Sequence, residues 1–145
     1  FLYTSFSFSQ QNTETNAIDV TYLRGNILPH TDDLNHLITG HPEGFMACFS
    51  KQTHGDQEWQ KVYNYPDYGG YFIYQDYKNQ ILGQTYAVGA FYNFYFSKRR
   101  FVFKIAQGLA YATNPQEKET NSKNTAFGSS ILANTNFVLA YKSVL

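Results

Sequence analysis

The sequence predicts an all-β fold: six long strands in an antiparallel meander, part of an outer-membrane β-barrel truncated at both ends. Three observations carry this expectation. Bulky and small or polar residues alternate with period two, while helical periodicity is weak throughout. The most legible strands run about 11–16 residues, against about 5–6 in soluble sheets. Aromatic residues make up 19% of the chain, with 13 Tyr and 13 Phe, while charged residues are only 15%.

The expected strands are 17–24, 43–52, 69–77, 83–97, 100–112 and 127–142. The first three rest on the same alternation in shorter runs. In the fourth, Tyr86, Val88, Ala90, Tyr92, Phe94 and Phe96 share one face, and the other carries Thr85, Ala87, Gly89, Phe91, Asn93 and Tyr95. In the fifth, Phe101, Phe103, Ile105, Leu109 and Tyr111 share a face interrupted by Gln107, opposite Val102, Lys104, Ala106, Gly108, Ala110 and Ala112. The sixth sets Ile131, Ala133, Thr135, Phe137, Leu139 and Tyr141 against Ser130, Leu132, Asn134, Asn136 and Lys142.

A soluble sandwich would turn the bulky face to a core and the polar face to water. A membrane barrel turns the bulky face to lipid and fills its narrow interior with small and polar residues. Spanning length, aromatics near the strand ends and Gly/Ala crowding on the opposite face favour the barrel. Six strands do not close such a barrel, because single-chain bacterial examples start at eight and an open edge in lipid leaves backbone groups unpaired. Truncation is therefore expected at the C-terminus, where the chain stops at Ser143-Val-Leu145. Residues 1–10, uncharged and apolar or small, are expected to be the tail of a secretory signal, with a plain first strand as the alternative. Residues 17–145 then form the partial outer-membrane barrel domain. Ser97-Lys-Arg-Arg100 reads as a tight turn and Asn114–Asn124 as a long polar loop of extracellular type. The stretch Thr53–Asp67 is too long for the periplasmic turn that strict counting demands.

Composition narrows function by exclusion. Eleven basic residues balance eleven acidic ones, which argues against electrostatic binding of nucleic acid. The single cysteine, Cys48, excludes an internal disulfide and any cysteine-based zinc site. His30, His36 and His41 crowd one segment with Asp32 and Asp33, but their spacing matches no metalloenzyme signature. A loop ordered by histidine and aspartate hydrogen bonds is the simpler account, so no metal and no cofactor is expected. Ser129 and Ser130 lack the Gly-x-Ser-x-Gly elbow of a hydrolase and read as barrel wall. Cys48 reads as a packing residue, Trp59 as an interfacial anchor or loop packing, and Lys98-Arg99-Arg100 as head-group contacts or a solvated turn.

Several segments together resemble a known family. They are Ile27-Leu-Pro-His30, His36-Leu-Ile-Thr-Gly-His-Pro42, Tyr63-Asn-Tyr-Pro-Asp-Tyr68, Tyr92-Asn-Phe-Tyr-Phe96, Gly108-Leu-Ala-Tyr-Ala-Thr-Asn-Pro115 and Lys118-Glu-Thr-Asn-Ser-Lys-Asn124. From about Ile18 onward the chain is similar to the acyloxyacyl hydrolase (lipid A 3-O-deacylase) family, in its Bacteroidetes form. The resemblance implies an eight-stranded barrel in the outer membrane of a Gram-negative cell. Such a barrel hydrolyses an ester-linked acyl chain of lipid A without a metal, using a His-x-Ser pair and an acidic partner. Here Asp32, Ile38, Glu43 and Asp56 stand two positions after the four histidines, so the pair is absent and the triad is expected after Leu145. Ser130 departs from the Gly-Ser-His expected at Gly128-Ser129-Ser130. The implied partners are lipid A or lipopolysaccharide as substrate and outer-membrane lipids; oligomeric state stays open. Two other readings stand beside the enzyme: a non-catalytic structural or adhesive barrel, and a soluble sandwich binding sugar through its aromatics.

Overall fold

Period-two alternation gives every strand two unlike faces, and chain order alone decides which strands pair. The computed structural model describes residues 2–6, 16–27, 38, 40–117, 119–124 and 126–141. One antiparallel sheet runs in the order β1 (Leu2–Phe6), β2 (Asn16–Arg24), β3 (Glu43–Gln52), β4 (Asp67–Asp76), β5 (Gln84–Phe96), β6 (Phe101–Ala112) and β7 (Ile131–Tyr141). A short helix, α1 (Glu58–Val62), lies between β3 and β4. The six expected strands coincide with β2–β7 to within a few residues. Two details differ from expectation. Residues 2–6 pair with β2, from Leu2 opposite Arg24 to Phe6 opposite Val20. The last strand opens at Ile131, leaving Ser129 and Ser130 just ahead of it, where Ser130 O accepts the Ala112 N–H at 2.8 Å.

The sheet is curled, and side chains that span it measure the curl. Tyr71 on β4 donates its hydroxyl to Asn134 Oδ1 on β7 at 2.8 Å. Lys104 Nζ on β6 donates to Cys48 Sγ on β3 at 3.3 Å. Each pair is three strand spacings apart, about 14 Å if the sheet were flat. The concave face holds Leu23, Met46, Cys48, Tyr71, Ile73, Ala87, Phe91, Ala106 and Ala110 as one buried cluster. Two glycines make room for the longest bridge. Gly89 and Gly108 face each other across β5 and β6, and the Tyr71 ring lies over both. A Cβ on Gly108 would meet Tyr71 Oη at 2.7 Å and the Val88 carbonyl at 2.0 Å.

The two ends of the sheet are built differently. At one end β2–β3, β4–β5 and β6–β7 are joined by residues 25–42, 77–83 and 113–130. Asparagines tie the last two of these together. Asn124, fully buried, donates to Asn114 O at 2.5 Å and Ile81 O at 3.3 Å, while its Oδ1 accepts the N–H groups of Ala126 and Phe127. Leu82 is buried beneath, with Ile27, Tyr77, Ile81 and Phe127 packed around it. Burial there pushes the Tyr77 phenol above its ordinary value, partly opposed by a hydrogen bond with Thr85. The 114–124 stretch is thus a folded cap on β4–β6. At the other end lie residues 53–66, which contain α1, and the tight turn 97–100.

Replacing Gly108 with Ala should lift Tyr71 off the glycine pair and destabilise the sheet by about 1–3 kcal/mol. Tyr71→Phe, which keeps the ring and loses only the bond to Asn134, should cost about 1 kcal/mol. Urea unfolding of the refolded protein in detergent, followed by far-ultraviolet circular dichroism, ranks the two. A Gly108→Ala protein as stable as the parent would show that Tyr71 is not held there.

Candidate functional site: an apolar convex surface and the polar column behind it

The convex face is apolar in ordered rows. Tyr22, Phe45, Tyr74, Tyr86 and Tyr111 stand opposite one another across β2–β6 near the long-loop end. Tyr68 and Tyr92 form a row toward the other end, followed by Phe94 beside Phe103 and by Phe96, Phe101 and Tyr141. Ring centroids of Tyr74 and Tyr86 are 5.3 Å apart, and those of Phe101 and Tyr141 5.2 Å. Between these belts the outward residues are mainly aliphatic, such as Leu109, 61% exposed. From Tyr86 to Phe96 is ten residues, about 33 Å of strand and roughly 25 Å along the normal at a tilt near 40°. That height equals the apolar band of a membrane barrel.

The row Phe49, Gly70, Ala90, Gln107 and Thr135 crosses the middle of this band. It contains the two polar side chains that interrupt the belt on β6 and β7. They are register partners, and Thr135 Oγ1 donates to Gln107 Oε1 at 2.6 Å. Gly70 and Ala90 beside them leave this row shallow.

Behind the surface, the concave face carries a polar column. Asp67, Asn93 and Lys104 are successive register partners on β4, β5 and β6. The Lys104 ammonium lies 4.5 Å from the Phe91 ring centroid on its way to Cys48. Toward the turn end, Tyr95 donates its hydroxyl to Asp67 Oδ2, and Arg99 pairs with Asp67 Oδ1 at 3.5 Å. The Arg99 guanidinium also covers the Tyr95 ring at 3.7 Å and donates to Tyr65 O at 2.6 Å. These contacts hold an unusual turn: Ser97, Lys98 and Arg99 all have left-handed φ, of 50°, 57° and 65°. Such conformations cost roughly 1–2 kcal/mol per non-glycine residue, which the docked guanidinium offsets. Asn93 Oδ1 is buried with no hydrogen-bond partner among the described residues.

The residues singled out in the sequence are scattered. His30, His36, Asp32 and Asp33 lie outside the described residues. His41 is exposed at the long-loop end, its Nδ1 2.6 Å from Asn26 Oδ1. His54 is exposed at the opposite end. Cys48 is buried against Lys104. Ser129 is spent on the Ile131 carbonyl. No cluster of three or more metal-binding side chains occurs among the described residues. The structure brings no Ser, His and carboxylate together there either. Sequence reasoning missed the Asp67–Tyr95–Arg99 group, because its members come from two hairpins and meet only in the curled sheet. The one available signal was Asp67 itself, a carboxylate opening an otherwise apolar strand.

Residues 43–143, from the start of β3 past the end of β7, match the family model described as lipid A 3-O-deacylase (PagL). The chain belongs to the lipid A 3-O-deacylase family. No curated protein and no solved structure matches it. The match begins at β3, so the histidine-rich segment 30–41 precedes it. Within the matched residues of this deacylase-family chain the one histidine is His54, followed by Gly55 and Asp56. The family match therefore spans strands β3–β7 and the loops that join them.

If the convex face meets lipid, a charge there should be costly according to depth. Ala90→Arg, in the middle row, should destabilise by about 2–4 kcal/mol, and Phe96→Arg, in the end belt, by about 0–1 kcal/mol. Urea titration of the protein folded into vesicles reads both. Equal costs at the two positions would argue against a bilayer around this face.

Proposed function

We propose that this chain is the N-terminal part of an outer-membrane enzyme that removes an ester-linked acyl chain from lipid A. The family match over residues 43–143 carries the reading. Two observations support its details. The convex face is an apolar band between aromatic belts, the surface that a bilayer requires. In the described ladder every strand from β2 to β6 is paired on both sides, as hydrocarbon demands of a membrane wall.

On this reading the segment supplies wall and loops, and the reacting groups come from beyond Leu145. There a histidine takes the proton of a serine hydroxyl as the serine oxygen bonds to the acyl carbonyl carbon. The tetrahedral intermediate then expels the sugar oxygen, which receives the proton from the imidazolium. Water, deprotonated by the same histidine, releases the fatty acid and restores the serine. A carboxylate beside the imidazole fixes its orientation and stabilises its charged form. No metal is needed for this sequence of steps. The lipid that carries the substrate ester would lie against the convex face, where the acyl chains are solvated by the same apolar rows that anchor the barrel.

The 145-residue chain, refolded alone, should therefore leave lipid A intact. The version continuing beyond Leu145 should remove one ester-linked acyl chain. Mass spectrometry of lipid A incubated with each protein checks both. Acyl loss caused by the shorter chain, and abolished by a substitution within residues 1–145, would overturn the assignment of the chemistry. Intact lipid A with the longer protein would favour a non-catalytic barrel.

A further inference from the structure

Residues 53–66 fold into something more specific than a turn. Thr53 Oγ1 donates to Pro66 O at 2.7 Å and closes the segment, and Gln60 holds it from within. Its Oε1 accepts the Gly55 N–H at 2.8 Å, and its backbone carbonyl accepts the Tyr65 N–H at 2.7 Å. Asn64 Nδ2 reaches Tyr95 O at 2.9 Å, and Arg99 of the neighbouring turn binds Tyr65 O. The segment is thus pinned to the sheet at several points. Yet α1 buries none of its residues in protein. Trp59 is 37%, Val62 77% and Tyr63 53% exposed.

A five-residue helix that buries nothing gains no packing energy, and its uncovered apolar groups are unfavourable in water. Their position removes the difficulty. Asn64, two residues past α1, is bound to the carbonyl of Tyr95, which stands between Phe94 and Phe96 of the outward belt at this end of the sheet. The exposed surface of α1 therefore continues the apolar convex face around the rim. Cations lie beside it. Arg99 is turned inward by Asp67, which leaves its neighbours Lys98 and Arg100 exposed, with no acidic partner among the described residues. Lys61 and Lys51 are exposed at the same end; Asp56 and Glu58 oppose them, four cations against two anions among the described residues. By loop length this is the end with the shorter connections, the periplasmic side of an outer-membrane barrel.

We infer that α1 and the 97–100 turn form a membrane-interface foot, with Trp59, Val62 and Tyr63 seated at the acyl boundary and Lys98 and Arg100 on acidic phospholipid head groups of the inner-facing leaflet. The inference rests on the membrane reading above. Tryptophan and tyrosine suit this depth because a flat apolar ring and a polar edge are satisfied there together. Basic side chains near an anionic surface add to the attraction.

Trp59 is the chain's one tryptophan, so its emission reports this site alone. The version continuing beyond Leu145, with any tryptophan outside residues 1–145 changed to phenylalanine, is folded into phosphatidylcholine vesicles with and without phosphatidylglycerol, using lipids brominated either near the head group or near the chain end. Trp59 should be blue-shifted and quenched more by the head-group-proximal bromines, and phosphatidylglycerol should strengthen that quenching. The double change Lys98→Gln, Arg100→Gln should abolish the phosphatidylglycerol effect, and Val62→Asp should weaken quenching in every lipid. A protein with full β-sheet signal in the vesicles whose Trp59 emits as in water and is unquenched overturns the foot. Quenching indifferent to phosphatidylglycerol, in the parent chain, overturns the head-group contact. A chain that stays off the vesicles altogether overturns the membrane reading beneath both.

Discussion

Every backbone N–H and C=O within a bilayer must find its partner inside the protein, since hydrocarbon offers none. On the proposed membrane reading the meander would meet that demand with its unbroken ladder from β2 to β7, each strand paired along nearly its full length with its chain neighbours. The rest follows from the ladder. Pairing in register lines up side chains of like depth from strand to strand, which is why tyrosines one or two residues from the ends of different strands become one belt. It also forces the opposite face to curl inward, where Gly89 and Gly108 are needed for Tyr71 to pass. The same regularity places the irregular, polar parts of the chain at the two ends, beyond the apolar band.

The inside of the curl is held by a different logic from the outside. Its polar groups are few, and most are spent on each other across strands: Tyr71 with Asn134, Lys104 with Cys48, Arg99 and Tyr95 with Asp67. Most of these tie elements that are not neighbours in the ladder. Backbone bonds fix the order of the strands, and these side-chain bridges fix how tightly the sheet bends. A partly buried carboxylate such as Asp67 is tolerable only because a phenol and a guanidinium satisfy it together. Removing Arg99 would expose that carboxylate and also free the carbonyl of Tyr65, so the tight turn, the polar column and the α1 segment are mechanically one unit.

How much of this the sequence disclosed depends on the range of the interactions involved. Strands β5 and β6 were legible almost to the residue, because period-two patterning is local and runs for twelve or thirteen residues, broken only at Gln107. Which face turns outward was legible too, since Phe101 and Leu109 on one side contrast with Lys104 and Ala106 on the other; Ala106 is fully buried. The folded cap around Asn124 was not. Asparagine in a polar loop ordinarily signals solvent, and only the approach of Ile81 from forty-three residues away makes it a buried hub. The helix in 53–66 was equally hidden: five residues carry too little periodicity, and its anchors, Tyr95 and Arg99, belong to another hairpin. The catalytic centre could not be read as a set of residues at all, only as the absence of a His-x-Ser pair from a chain whose other segments resemble a deacylase.

One departure from the pattern turns out to follow the same rule as everything else. Gln107 interrupts the apolar face of β6 and Thr135 that of β7, and on the proposed membrane reading each taken singly would be a polar group facing hydrocarbon, where an unsatisfied donor or acceptor costs several kcal/mol. The register places them opposite each other, and the threonine hydroxyl donates to the glutamine oxygen. The pair is self-satisfied in the way the backbone is, and it sits beside Ala90 and Gly70, whose small size leaves space for the glutamine side chain to lie along the sheet instead of projecting into lipid. A one-residue slip of β7 against β6 would put Thr135 out of reach and leave Gln107 alone in hydrocarbon. The two polar residues therefore specify the register that the apolar residues around them, being nearly interchangeable, specify only weakly.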